Sequence, residues 1–265
     1  MTVASHGWVY LAPWRWDPEN GRLGRTERIG DRFGTIEVGQ HAADAVGVRW
    51  EHFGAAEEAE ILTRVRRWFS ADWEPAPAAA ALPTVAELIE RGGGRMLRGS
   101  FFYEDFVKTV LTINTSWSAT CRMVAALVAE PGGGGFPGPA ALLDYGEDRL
   151  RMQAKLGFRA RTLTRATRQM LDDGAITPSG EGSPERLDHD YLCRLYGIGP
   201  YAAAHCRVLL YDFSRIPVDS SVNAYLRERY GCDAAAFAAK RSSWGDYIAL
   251  GYRLMRLRDK LERPD

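Results

Sequence analysis

The most constraining stretch of this chain is Leu195-Tyr196-Gly197-Ile198-Gly199-Pro200-Tyr201-Ala202-Ala203-Ala204. Two glycines one residue apart let a backbone reverse sharply and take φ values that side chains resist. Pro200 suits the first position of a following helix, where its missing N–H costs nothing. The small residues Ala202, Ala203 and Ala204 let that helix lie close against a partner. The segment reads as helix, tight hairpin, helix. Backbone N–H groups gathered at a helix N-terminus suit an anion such as a DNA phosphate. Taken alone, Gly-Ile-Gly-Pro also describes a turn that binds nothing.

A second signal follows at Pro217-Val218-Asp219-Ser220. The proline ends the hairpin's second helix, and Asp219 is expected to cap the next one, SSVNAYLRERY, at its positive dipole end. An isolated acid there reads as a structural cap. Beside an anion-binding hairpin it becomes a candidate for chemistry on DNA.

The rest of the chain sets limits. At ~100–200 residues per domain, 265 residues allow one large domain or two modest ones. Lys+Arg and Asp+Glu are both 34, which argues against a generic polycation but leaves room for a local basic face. Such a face is suggested by residues 148–168, where Arg149, Arg151, Lys155, Arg159, Arg161, Arg165 and Arg168 meet only Asp148. A solvated helix surface explains the same run. No apolar run reaches the ~18 residues of a membrane span and no leader is visible, so a cytoplasmic protein is expected. The four cysteines form no CxxC pair and the five histidines no metal-binding pair, so no iron–sulfur cluster or zinc site is expected.

Residues 1–75 are rich in short aromatic and β-branched stretches broken by Gly, Pro, Asp and Asn, and read as a small antiparallel β subdomain. It should be followed by a helix with Ile61, Leu62, Val65 and Phe69 on one face. Residues 74–83 are Pro/Ala-rich and read as a connection. From residue 84 onward the pattern is helical. Thr84 and Glu87 have capping-box spacing, Thr115-Ser116 can cap a helix, and Gly157 should break a long basic helical stretch in two.

The hairpin with its downstream Pro-Val-Asp resembles the helix–hairpin–helix–Gly/Pro–Asp superfamily of DNA glycosylases, most of all the 3-methyladenine DNA glycosylase II branch. The likeness extends upstream through Gly92–Arg98, Tyr103–Thr109, Asn114-Thr115-Ser116-Trp117, Phe136-Pro137 and Gly157–Arg161, covering roughly residues 90–225. It implies a mainly α, two-lobed glycosylase fold, with the helical domain at residues 84–265 and the hairpin at about 191–212.

The resemblance further implies that Asp219 is the catalytic carboxylate, stabilising positive charge on the sugar and activating water. The backbone of Gly197, Ile198, Gly199, Tyr201 and Ala202 would hold DNA. Asn114, Thr115, Trp117 and Tyr201 would form the wedge or base pocket, although Trp117 reads equally as a core residue. Lys108, Arg159 and Arg161 are candidate phosphate contacts. From the residues alone, Lys108 and Glu104 could be a helix-surface pair, and the two arginines could simply cover a helix. Relatives that cleave the sugar–phosphate chain carry a lysine where this chain has Tyr201, so a monofunctional enzyme is implied. Relatives also hold a sodium or potassium ion on hairpin carbonyls.

The expected partner is double-stranded DNA with a modified base, bound by a monomer. An alkylated purine is the first expectation. The Asn-Thr-Ser-Trp run departs from that branch's double-glutamine loop, so an oxidised, deaminated or bulky phage-type base is the alternative. A non-catalytic helix–hairpin–helix DNA-binding protein is the competitor from another class.

Overall fold

The computed structural model describes residues 2–42 and 45–262. Four strands, β1 (Trp14–Asp17), β2 (Arg22–Ile29), β3 (Arg32–Ala42) and β4 (Ala45–Glu51), form an antiparallel meander in chain order. The β1–β2 turn is set by Asp17, whose carboxylate accepts the N–H groups of Glu19 and Asn20, and by Gly21 at φ +61°. Alternate residues face inward. Leu23, Arg25 and Glu27 on β2 and Ile36 and Val38 on β3 are buried, as period-2 geometry requires.

Helices follow: α1 (Glu58–Trp68), α2 (Ala76–Ala81), α3 (Ala86–Glu90), α4 (Phe102–Leu111), α5 (Trp117–Ala129), α6 (Pro139–Tyr145), α7 (Glu147–Met152) and α8 (Arg159–Asp172). After a long irregular segment come α9 (His189–Arg194), α10 (Pro200–Leu209), α11 (Ser220–Tyr230), α12 (Ala234–Ala239) and α13 (Ile248–Glu262). Among the described residues, no helix is long and apolar enough to cross a membrane.

Several local expectations need correction. Residues 74–83 contain a short helix, α2, because Pro75 sits at its start and the alanines propagate it. The inward face of α1 carries Trp68 with Ile61 and Val65, while Leu62 is exposed. Thr84 does not cap: residues Pro83–Val85 form a 3-10 turn, and α3 starts after Val85 without a side-chain cap. Ser116 does cap α5, accepting the Ala119 N–H, and Gly157 at φ +59° separates α7 from α8.

All ten residues of α4 are buried. One flank packs on α10 and α8, with the Tyr103 hydroxyl 2.7 Å from Thr167 Oγ1. The other flank meets the sheet through charge. Arg25 is fully buried and grips Glu104 with two hydrogen bonds, of 3.0 and 2.8 Å. Lys108, one turn on, places its Nζ 2.6 Å from Glu104 Oε1. Glu27 links Arg25 to Arg64 of α1, and Ser100 bonds to both Glu27 and Glu104. The Arg25 guanidinium lies 4.4 Å from the Trp14 ring centroid and 5.4 Å from that of Trp68. Asp105, next along α4, accepts from Arg67, from the Gly99 N–H and from Trp8 Nε1.

This corrects the reading of Lys108 as a phosphate contact or a helix-surface pair. Its ammonium is wholly enclosed and committed to Glu104. Burial works to raise the Glu104 carboxyl, but Arg25 and Lys108 reverse that and hold it at about 2.

Removing one member of a buried ion pair strands the others in low dielectric. Glu104→Gln is therefore expected to lower unfolding stability by about 3–5 kcal/mol in denaturant titration. Because folding depresses this carboxyl from 4.5, its contribution is full above that value and lost as the pH falls toward 2. The variant's melting temperature should vary less across that window than the wild type's.

Candidate nucleic-acid interface and base pocket

The hairpin forms as its glycines require. Gly197 sits at φ +75°, and a Cβ there would lie 2.5 Å from Thr162 Oγ1 of α8. The turn thus needs glycine for both backbone and packing. Gly199 is different: it precedes α10 in extended conformation, with nothing within 4 Å of an added Cβ. Among the described residues, the N–H groups of Gly199, Tyr201 and Ala202 donate to no protein acceptor, while the next, Ala203, bonds the Gly199 carbonyl. Three free donors therefore point outward at the positive end of a ten-residue helix. Ile198 is a correction: its side chain is buried and its N–H donates to the Leu195 carbonyl, so it serves the turn.

Beside the hairpin lies the basic stretch. Arg149, Arg151, Lys155, Arg161, Arg165 and Arg168 are all exposed. The Arg161 and Arg165 guanidiniums lie over the exposed ring of Tyr196, 5.5 and 4.7 Å from its centroid. Arg151, Phe158 and Arg161 line a shallow depression against Tyr196 and Gly197. Positive charge and unpaired N–H donors thus share one face.

Arg159 faces the other way and is only 7% exposed. It donates to the carbonyls of Ile113 and Asn114, the latter at 3.1 Å. It is therefore a clamp on the loop between α4 and α5 rather than a phosphate contact. That loop carries Asn114 at φ +47°, exposed, with Thr115 half-buried behind it. Trp117 is 45% exposed and lays its ring on Gly7, where a Cβ would come within 2.5 Å. It belongs to a surface wall, not to the core. Phe158, missed from sequence, projects its ring beside the Arg159 guanidinium at 4.4 Å and is 57% exposed. Its signal was present: an aromatic next to the glycine that breaks a basic helix.

Asp219 caps α11. Its Oδ1 accepts the Val222 N–H at 2.7 Å, and the exposed carboxylate keeps its second oxygen without a protein partner among the described residues. Tyr201 and Tyr252 both feel its charge. Burial raises the Tyr201 phenol, the Thr112 side chain pulls it back, and Asp219 pushes it up again. Behind Tyr201 its ring stacks on His205 with centroids 6.0 Å apart. Trp8 lies 5.3 Å from His205 and 4.7 Å from His6. Arg253 of α13 ties this wall down by donating to the Ser5 carbonyl at 2.9 Å.

Burial and the nearby Arg253 charge hold both imidazoles neutral, His205 at about 3 and His6 well below its ordinary range. The Nε2 atoms of both are enclosed and have no hydrogen-bond partner. No sequence spacing pointed to His6, His205 or Arg253; they meet only because the N-terminal segment docks on α10 and α13.

Solved structures share this architecture. The 3-methyladenine DNA glycosylase of Archaeoglobus fulgidus matches with a TM-score of 0.69 at 16% identity, over 93% of this chain and 90% of that one. The 8-oxoguanine glycosylase/lyase of Clostridium acetobutylicum in its apo form matches at 0.67 and 16%, over 95% and 92%. MBOgg1 bound to a low-affinity DNA ligand matches at 0.66 and 19%, over 97% and 91%. The chain has the helix–hairpin–helix DNA glycosylase fold. No protein-family model and no curated protein matches it.

The two hairpin glycines separate folding from binding. Gly197→Ala is expected to lower the melting temperature, since it strains φ and strikes Thr162. Gly199→Ala should melt like the wild type yet bind DNA at least about fivefold more weakly, because its methyl stands where a phosphate would approach. Thermal melts and DNA titrations of both variants check this.

Proposed function

We propose that this chain is a monofunctional DNA glycosylase that flips a modified base out of double-stranded DNA and hydrolyses its bond to C1′. The observation that carries the reading is the Asp219 carboxylate. It has one oxygen fixed by Val222 and one free, and it stands close enough to Tyr201 to raise that phenol, near a hairpin with unpaired N–H donors. Cleavage of the glycosidic bond leaves positive charge on the sugar, and a carboxylate within reach stabilises it and orients the attacking water.

The hairpin and the arginines beside it hold phosphates. Asn114 and Phe158 occupy the space of the extracted nucleotide and face the opposite strand, while Arg159 fixes the loop that carries Asn114. The base enters beside Tyr201 and Trp117. The absence of a lysine at position 201 supports hydrolysis without strand cleavage. The carbonyls of Tyr196, Gly197 and Ile198 accept no hydrogen bond from the described residues, a set of oxygens that fits a sodium or potassium ion. Such an ion would add positive charge beside the phosphate.

Mass spectrometry of bases freed from DNA carrying alkylated, oxidised, deaminated and phage-type lesions tests this reading. The wild type should release a base, and Asp219→Asn should be slower by at least about a hundredfold while still binding DNA. Borohydride should trap no enzyme–DNA adduct, and DNA affinity should fall as salt rises. Salt-sensitive binding with no base released from any substrate would leave a non-catalytic binding protein.

A further inference from the structure

The chain entering α11 does little to fix Asp219. Pro217 is buried, but among the described residues the N–H groups of Arg215, Ile216, Val218 and Asp219 donate to no protein acceptor. The direction of the carboxylate is therefore set by α11 itself and by whatever holds α11. The apolar anchor of that helix is thin: of its eleven residues, Val222 and Leu226 are buried. Much of its remaining grip is polar and runs to α13.

Ser221, Tyr225 and Arg229 recur every fourth residue and share one face of α11. Tyr252, Arg256 and Asp259 share one face of α13. The two rows meet. Arg256 donates from one terminal nitrogen to Ser221 Oγ at 3.0 Å and from the other to the Tyr252 hydroxyl at 3.0 Å. Its guanidinium carbon lies 5.2 Å from the centre of the Tyr225 ring, which meets the Tyr252 ring edge-on with centroids 5.8 Å apart. Further along, the Tyr225 hydroxyl and Arg229 Nε both donate to Asp259 Oδ2, at 2.9 and 2.8 Å. Burial works to raise the Asp259 carboxyl, but those two bonds hold it below its ordinary range.

The rung at Arg256 is the one nearest the site. Ser221 lies in the first turn of α11, two residues after Asp219. That end of a helix is positive and disfavours a cation, and Arg256 has no carboxylate partner there among the described residues. Its position is thus explained by its two directed bonds rather than by helix electrostatics. A guanidinium has separate nitrogens for two acceptors on two helices, which a single ammonium serves less well.

We infer that Arg256 is the positioning residue of Asp219: by tying the first turn of α11 to Tyr252 of α13, it fixes the direction in which the Asp219 carboxylate faces the sugar. The inference rests on the glycosylase reading and adds to it the element that aims the carboxylate. Arg256 makes no bond to Asp219 and acts through the turn that carries it. Such aim matters, because a displacement of about 1 Å at a reacting centre can cost about a hundredfold in rate.

The test measures single-turnover base release from duplexes carrying 3-methyladenine, 7-methylguanine, 8-oxoguanine or hypoxanthine, using the lesion that the wild type removes fastest. Arg256→Met should slow release at least about tenfold while affinity for an undamaged duplex stays within about twofold. Arg256→Lys should keep part of the rate, and Ser221→Ala should lose a smaller part. Added to Asp219→Asn, Arg256→Met should cost no more than about twofold further, since a residue acting through Asp219 has nothing left to position. Hydrogen exchange at the Val222 amide, which the Asp219 carboxylate accepts, should quicken about tenfold in Arg256→Met.

Undiminished release by a folded Arg256→Met overturns the role of Arg256. So does a full tenfold loss on top of Asp219→Asn, which would make the effect general or direct. If Arg256→Met does not fold, Ser221→Ala, which removes an exposed hydroxyl and the same bond, decides by the same comparison. Release of no base by the wild type overturns the glycosylase reading. The exchange measurement separates the two failures, because unchanged exchange at Val222 overturns the hold on the Asp219 turn whether or not a base is released.

Discussion

The interaction on which the rest of the molecule leans is the buried pair between Arg25 of the sheet and Glu104 of α4. Two charges out of water are costly to hold, and their attraction compensates only where geometry is good and every remaining lone pair is satisfied. Here the forked guanidinium meets both carboxylate oxygens, and Lys108 and Ser100 complete the shell. Because the pair is intolerant of misplacement, it fixes the register between a four-stranded meander and the central helix. Simple hydrophobic contact would allow that interface to slide.

From that anchor the geometry propagates to the aromatic and histidine cluster behind Tyr201. Asp105, beside Glu104 on α4, receives Trp8 Nε1, so the segment carrying His6, Gly7 and Trp8 is held in place by the same helix. Gly7 supports Trp117, and Trp8 and His6 close on His205. α4 ends at the loop presenting Asn114, which Arg159 clamps from α8. One helix thus holds both that cluster and the base of the exposed loop. The sheet, far from Asp219 in sequence, serves the site by holding that helix still.

Features set by local backbone chemistry were legible in the sequence. The hairpin, the cap at Asp219, the break at Gly157 and the cap at Ser116 each depend on a few neighbouring residues with restricted conformations. Charged side chains were far less legible. Lys108 and Arg159 read as surface groups because a lone sequence does not reveal a partner such as Arg25, 79 residues from Glu104. The cluster behind Tyr201 was least visible of all. His6, His205 and Arg253 belong to no spacing pattern, and proximity through tertiary packing is their sole relation. The Ala-rich run at 74–83 failed for another reason: prolines at both ends hid a helix short enough to fit between them.

The hydrogen bond from Arg253 to the Ser5 carbonyl joins residues 248 positions apart. During synthesis the segment bearing His6 and Trp8 emerges long before α13 exists to receive it. Contacts of such separation form late, since closing the intervening loop must come first. The hairpin, made of neighbours, has no such wait. A chain ending before α13 would therefore hold the hairpin's local contacts while the segment bearing His6 and Trp8 still lacked its partner. The last helix of the chain is thus what fixes its first residues in place.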